Sequence, residues 1–236
     1  IKNYQIINQS VIIEDQKIPS SGYFLRIGLF LVFLAYKSPH AMKKLRFTFL
    51  VIFLSMTVFN SFATINEGLK FGKIPDELVT MKVYEADPDA EAVVLSDIGD
   101  TKIAFSAGAG FQITYRLHKV IKILTKGGVS YGDFQIPYYS IPGRTDLVGG
   151  IKGFVYNESN GSIVKEKIGK EHVFEEEVSK TYRIKKISAP NIKEGSVVEL
   201  SYEITSDLFS YLREWEFQNE IPTRWSEYSL EYPEYF

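Results

Sequence analysis

The chain has 236 residues, of which 45% are hydrophobic and 24% charged, with a formal net charge of −2 and no cysteine. Without cysteine it holds no thiol nucleophile and no thiolate metal site, and a lipid-anchored bacterial lipoprotein is excluded. Charge is unevenly spread: seven Lys/Arg against two Asp/Glu before position 64, and 20 against 27 after it; an acidic body with no basic stripe argues against nucleic acid.

Residues 1–41 start with Ile and carry one apolar run, Ile27–Tyr36, too short to span a bilayer comfortably. This stretch reads as upstream sequence from an over-extended reading frame; a membrane hairpin of 22–37 and 47–62 is the other reading. Residues 42–63 have the three regions of a signal peptide. Lys43, Lys44 and Arg46 form the positive start, Phe47–Phe59 the apolar centre, and Ser61-Phe62-Ala63 the small-residue exit. Cleavage is expected between Ala63 and Thr64, leaving no stable membrane span; an uncut anchor is the alternative. The expected location is the periplasm or envelope of a Gram-negative bacterium.

From position 64 onward, 173 residues suffice for the core of one good-sized domain. Residues 64–84 read as a lead-in with a helical turn after Pro75. AVVL (92–95) and KIAF (102–105), either side of DIGD, predict a hairpin turning at Asp97–Asp100. Phe111–Leu124 predicts a long strand whose apolar phase slips near His118 and Lys119, as at a bulge. GFVYNESNGSIVKEKI (153–168) predicts a second hairpin turning at Asn160-Gly161. KEHVFEEEVSK (170–180) is the best helix candidate. Tyr182–Ile187 and Ser196–Thr205 predict strands around the loop APNIKEG, the latter with Val198, Leu200, Tyr202 and Ile204 on one face and Glu199, Ser201 and Glu203 on a wet one. Arg213–Asn219 and Arg224–Tyr232 are the last strand candidates. The expected fold is mainly β, an antiparallel β-sandwich over 85–236 preceded by a signal peptide.

Catalytic signals are weak. His118 in an apolar strand reads as a packed or hydrogen-bonded residue, and no zinc-type histidine spacing, G-x-S-x-G or phosphate loop occurs. Gly108–Gly110 precedes a strand and reads as a loop. Asp87, Asp89 and Glu91, with Asp97 and Asp100, fit turn chemistry better than a calcium loop, and Glu175–Glu177 fits a solvated face. No cofactor or metal is expected and no catalytic residue is assigned. A carboxylate pair for glycoside hydrolysis stays open, since its geometry is invisible in sequence. The remaining hint is aromatic. Tyr138, Tyr139, Trp215, Trp225 and Tyr228 make a possible peptide- or sugar-binding surface if exposed, and ordinary core if buried.

PDAEAVVLSDIGDTKI, YRLHKVIKILTKGG, FQIPYY, ISAPNIKEGSVVELSYEITS and WEFQNEIPTRWSEYSLEYPEYF follow one another from about Glu85 to the last residue. In that order they resemble the bacterial domain of unknown function 3857. The resemblance implies a largely β fold, no established active site, and a transglutaminase-like domain downstream in the same exported protein. Such a domain uses a Cys–His–Asp set, which would lie beyond residue 236, so the sandwich is expected to be truncated at its C-terminal end. The expected role is a non-catalytic module that positions this domain or binds its peptide or glycan substrate or a partner. A carbohydrate-active or carbohydrate-binding envelope domain, or a structural spacer, are the alternatives.

Overall fold

A computed structural model describes residues 2–7, 10–12, 68–208 and 212–234. The chain divides into two units, one of residues 1–13 with 67–236 and one of 14–66. The signal-peptide segment and its cleavage position at Ala63 and Thr64 lie outside the described residues. Among the described residues, no helix is long and apolar enough to cross a membrane.

The first unit is mainly β. Its larger sheet contains β1 (Lys2–Ile7), β2 (Ser10–Ile12), β3 (Ala92–Ser106), β4 (Gly110–Ile123), β7 (Leu147–Ser159), β8 (Ser162–Ile168), β11 (Val197–Ser206) and β12 (Ser226–Tyr232), in the order β2-β1-β12-β3-β4-β11-β7-β8. The smaller sheet has β5 (Phe134–Ile141), β6 (Arg144–Thr145), β9 (Val173–Ser179) and β10 (Tyr182–Ile187), ordered β6-β5-β10-β9. Neighbours are antiparallel except β12 and β3, which run parallel. The sheets pack face to face as a β-sandwich. Ile103, Ile113, Leu200 and Ile204 from the larger sheet meet Ile136 and Ile187 from the smaller one.

The other face of the larger sheet has its own cover. The lead-in is folded there: a short helix, α1 (Asp76–Thr80), follows Pro75 as expected, and buries Leu78 and Val79. Together with Leu69 and Ile74 they pack on Val93, Leu95, Val120, Tyr156 and Val197. A second apolar layer therefore lies opposite the sandwich core, and β3, β4 and β11 are apolar on both faces for part of their length.

That double burial accounts for several departures from the sequence reading. DIGD is not a turn. β3 runs straight through it, with Asp97 facing Lys119 and Asp100 facing Arg116 across the β3–β4 ladder. The chain reverses instead at 107–109, overlapping the loop expected at 108–110. The slipped apolar phase of β4 is not a bulge in β4. The irregularity lies in β3, between Val94 and Ser96, while β4 keeps an unbroken register with β11. Val120 faces the lead-in and Ile121 the opposite side, so both are buried. Glu199, assigned to a wet face, is fully buried because the lead-in covers it.

KEHVFEEEVSK is also not a helix. A single 3₁₀ turn, Lys170–His172, leads into β9. Opposite-charge pairs across the β9–β10 ladder favour the strand. Arg183 bonds Glu175 and Glu177 at 3.1 and 3.0 Å, and Lys185 bonds Glu175 at 2.6 Å. Arg213–Asn219 runs alongside the sandwich outside either sheet. The Asn160-Gly161 hairpin stands as predicted: both residues have positive φ, 51° and 74°, the left-handed pair that a tight two-residue turn requires.

Candidate binding site

Two constellations combine polar or aromatic side chains from distant parts of the chain. One is buried and structural. Glu199 on β11 accepts a hydrogen bond from the Tyr156 hydroxyl at 2.7 Å and from the Gly72 backbone N–H at 2.9 Å, and its Oε1 lies 2.8 Å from Nε2 of His118. Burial and this bond to Glu199 hold the Tyr156 hydroxyl well above the usual phenol range, so it stays a donor. Phe71 sets its ring edge-on to His118, with centroids 5.6 Å apart. Lys165 donates to the Gly72 carbonyl at 3.0 Å and lies over the Phe154 ring at 3.8 Å. Gly72, at φ +78°, is thus gripped at both its N–H and its C=O. A buried carboxylate with this many donors is a satisfied polar network that fastens the lead-in to the sheet. His118 is a hydrogen-bonded histidine, as expected.

Lys122 completes the fastening. Its buried ammonium donates to the carbonyls of Val79, at the end of α1, and Gly195. Burial pulls its pKa down to about 8 because a charged amine is poorly solvated there.

The second constellation is a cavity of about 190 Å³ over the larger sheet, bordered by Pro137 of the smaller one. Its floor is the inner face of the larger sheet, where Gly99 (β3), Tyr115 (β4) and Tyr202 (β11) lie across adjacent strands; Arg213, Trp215 and Tyr228 form its wall. The rings of Trp215 and Tyr228 are stacked with centroids 5.3 Å apart. The indole N–H of Trp215 donates to Ser226 at 3.2 Å, and the Tyr228 hydroxyl to Thr101 at 2.9 Å. Gly99 makes this arrangement possible. A Cβ there would stand 2.4 Å from Cζ3 of Trp215, so only glycine admits the indole. That is the physical role of the glycine in DIGD, which needs no left-handed φ.

Arg213 supplies the polar end. It lies over the Tyr115 ring at 5.3 Å, donates to the Pro137 carbonyl at 3.0 Å and approaches Asp146 at 3.4 Å. Asp146 is buried and also accepts from the Tyr139 N–H at 3.0 Å, so the cation has a fixed counter-charge. Burial pushes the hydroxyls of Tyr115 and Tyr202 up to about 12. Near neutral pH the tyrosines of the lining are therefore neutral rings, set beside the compensated guanidinium of Arg213, with Arg116 and Glu214 also in the lining. The cavity suits an apolar side chain that carries or adjoins a hydrogen-bond acceptor.

Of the five predicted surface aromatics, Trp215 and Tyr228 meet at this cavity. Tyr138 does not: it is buried between the sheets, because the alternation of β5 turns it inward. Tyr139 points outward, 37% exposed, against Tyr182 at 5.7 Å. Trp225 directs its N–H to Glu227 at 3.3 Å and packs at Gly68, away from the cavity. Sequence reasoning did not single out Tyr115, Tyr202 or Arg213. The signal was present for the tyrosines, which alternate onto the inner face with Ile113, Leu117, Leu200 and Ile204. Asp87, Asp89, Glu91, Asp97 and Asp100 form no metal cluster; none of three or more ligands occurs among the described residues.

The sequence profile of a domain of unknown function with solved structure, DUF3857, matches residues 111–236. No curated protein matches the chain. Among solved structures, a crystal structure of a candidate protease from Parabacteroides distasonis aligns with a TM-score of 0.38 and 17% identity, over 50% of this chain and 23% of that one. The chain thus spans about a quarter of the length of that protein.

Proposed function

This chain belongs to the DUF3857 family, and from that premise we propose that it is a non-catalytic binding module of an exported bacterial envelope protein. It presents a polypeptide segment to, or positions, a transglutaminase- or protease-like domain elsewhere in the full protein. The observation that carries this reading is the cavity built by Tyr115, Tyr202, Arg213, Trp215 and Tyr228. Export rests on the leader-like residues 42–63, with processing between Ala63 and Thr64. A Cys–His–Asp set cannot be completed from a chain without cysteine, so that chemistry belongs to another segment or another protein.

Peptide is favoured over glycan by the state of the rings. Sugar platforms offer open ring faces, whereas Trp215 and Tyr228 are each half-buried and already stacked on one another. What remains is a compact cavity for one side chain. The test is a titration of the purified protein with short neutral peptides bearing a central Phe, followed by Trp fluorescence and calorimetry, beside oligosaccharides at equal concentration. Saturable binding of the peptides and not of the sugars is expected. Turnover of peptide or glycan by this chain alone would defeat the reading.

A further inference from the structure

Residues 212–218 have the signature of a strand without a ladder. Exposure alternates at every position: Leu212, Glu214, Glu216 and Gln218 face out, and Arg213, Trp215 and Phe217 are turned in. That period of two is the pattern of extended chain. Yet no backbone–backbone hydrogen bond joins 212–218 to any other described residue. Their anchors are side chains (Arg213 to Pro137 and Asp146, Trp215 to Ser226) and the Arg213 N–H, which donates to the Tyr115 hydroxyl at 3.3 Å. An extended segment with open backbone groups, held beside an aromatic cavity, has both components of peptide recognition by strand addition. Main-chain bonds give affinity and a pocket for alternate side chains gives specificity.

Charge identifies the occupant. Glu214 and Glu216 on this segment and Glu220 just after it are exposed, Glu214 also lining the cavity, and none has an ion-pair partner among the described residues. By contrast, the carboxylates of β9 are each matched by Arg183, Lys185 or Lys186. We propose that 212–218 and the adjoining cavity form a docking site for an extended, basic polypeptide segment. The segment lies alongside 212–218 as an added strand, inserts one apolar side chain into the cavity beside Trp215, and sets Lys or Arg against Glu214 and Glu216. In a strand, residues of one parity share a face. A sequence alternating basic and apolar therefore satisfies both requirements in one register.

This inference rests on the cavity being a binding site, and the experiment separates the two. The probes are three fluorescent heptapeptides, acetyl-KVKFKVK-amide, acetyl-SVSFSVS-amide and acetyl-EVEFEVE-amide, titrated into the purified protein by anisotropy. The basic peptide is expected to bind best and the acidic one worst, with the difference shrinking as salt is raised. The E214Q/E216Q double variant, both positions exposed and outside the core, is expected to weaken the basic peptide roughly 2- to 30-fold relative to the neutral one. Replacing the central Phe of the peptide by Ala is expected to cost roughly 10- to 150-fold. N-methylation of alternate peptide amides is expected to abolish binding, since the added strand needs its N–H groups. Equal binding of the basic and neutral peptides, unaffected by E214Q/E216Q, overturns the inference and leaves the cavity reading standing. Basic binding that ignores both the Phe and the methyl groups overturns it as mere charge attraction. No binding by any of the three overturns both.

Discussion

Replacing Gly99 by Ala tests how the cavity is built. Gly99 lies mid-strand in β3 without a positive φ, so its backbone is open to any residue. On conformational grounds alone Ala would stabilise, by about 0.5–1 kcal/mol. The added methyl, however, would fall 2.4 Å from Cζ3 and 2.8 Å from both Cε3 and Cη2 of Trp215. Three atoms of a rigid ring must move, and with them the stacking on Tyr228 and the bond to Ser226. Overpacking of this kind costs about 1–3 kcal/mol, so a net destabilisation of roughly 0.5–2 kcal/mol is expected. Urea denaturation gives the stability. Fluorescence in a Trp225→Phe background, leaving Trp215 as the single indole, gives the displacement as a red-shifted emission. Gly149 on β7 is the internal control. A Cβ there meets nothing within 4 Å, so Gly149→Ala is expected to be neutral or stabilising. A Gly99→Ala protein that is more stable than its parent, with an unchanged Trp215 spectrum, would refute the reasoning.

Three further outcomes follow from the fastening of the lead-in and from the hairpin. Glu199→Leu strands the Gly72 N–H, the Tyr156 hydroxyl and a nitrogen of His118 together; a loss of about 3–5 kcal/mol is expected, with 68–84 becoming sensitive to protease, and Glu199→Gln, which keeps an acceptor, is expected to lose less. Lys122 has a folded-state pKa of about 8, below that of an unfolded lysine, so between roughly pH 8 and 9.5 the unfolded chain binds more protons and stability rises with pH. Above that window the tyrosines held protonated by the fold reverse the slope, because the unfolded chain loses those protons first. Lys122→Met is expected to flatten the rise in urea titrations, and a rise that survives the substitution would exclude Lys122 as its source. Gly161→Ala, at φ +74°, is expected to cost about 1–2 kcal/mol, read as a lowered denaturation midpoint, whereas Gly143→Ala at the β5–β6 turn, φ +82°, should cost the same; unequal losses would point to contacts beyond the backbone.

Much of the sandwich was legible because its strands obey local rules. β7–β8 carries Asn160-Gly161 at its turn, and the sequence of β11 alternates apolar and polar from Val198 to Thr205. The errors have two causes, burial from a direction that local pattern cannot report and pairing with partners distant in sequence. The lead-in covers the outer face of β3, β4 and β11, so Glu199 is buried where alternation predicted water, and Val120 and Lys122 are buried on the face opposite Ile121 and Ile123. DIGD read as a turn because Asp and Gly are turn residues. In the folded chain the aspartates find cations on β4 and the glycine makes room for an indole more than a hundred residues away. KEHVFEEEVSK read as a helix because glutamates favour helices in isolation, and the cations of β10 that hold it as a strand lie beyond the segment itself. The cavity was half visible: Trp215 and Tyr228 stood out by composition, while Tyr115 and Tyr202 were ordinary members of strands until the sheet brought them to one place. Arg213 had no local signature at all, since its partners, Pro137 and Asp146, are distant in sequence.

The central claim is that the cavity beside Trp215 receives a peptide side chain. The most direct measurement is a two-dimensional NMR titration of the isotopically labelled protein with the neutral Phe-centred heptapeptide. The account predicts saturable shifts confined to Gly99, Thr101, Tyr115, Tyr202 and residues 213–215. Shifts gathered instead on the outward face of the smaller sheet, around Tyr139, Phe174 and Val178, or no shifts at all, would contradict it.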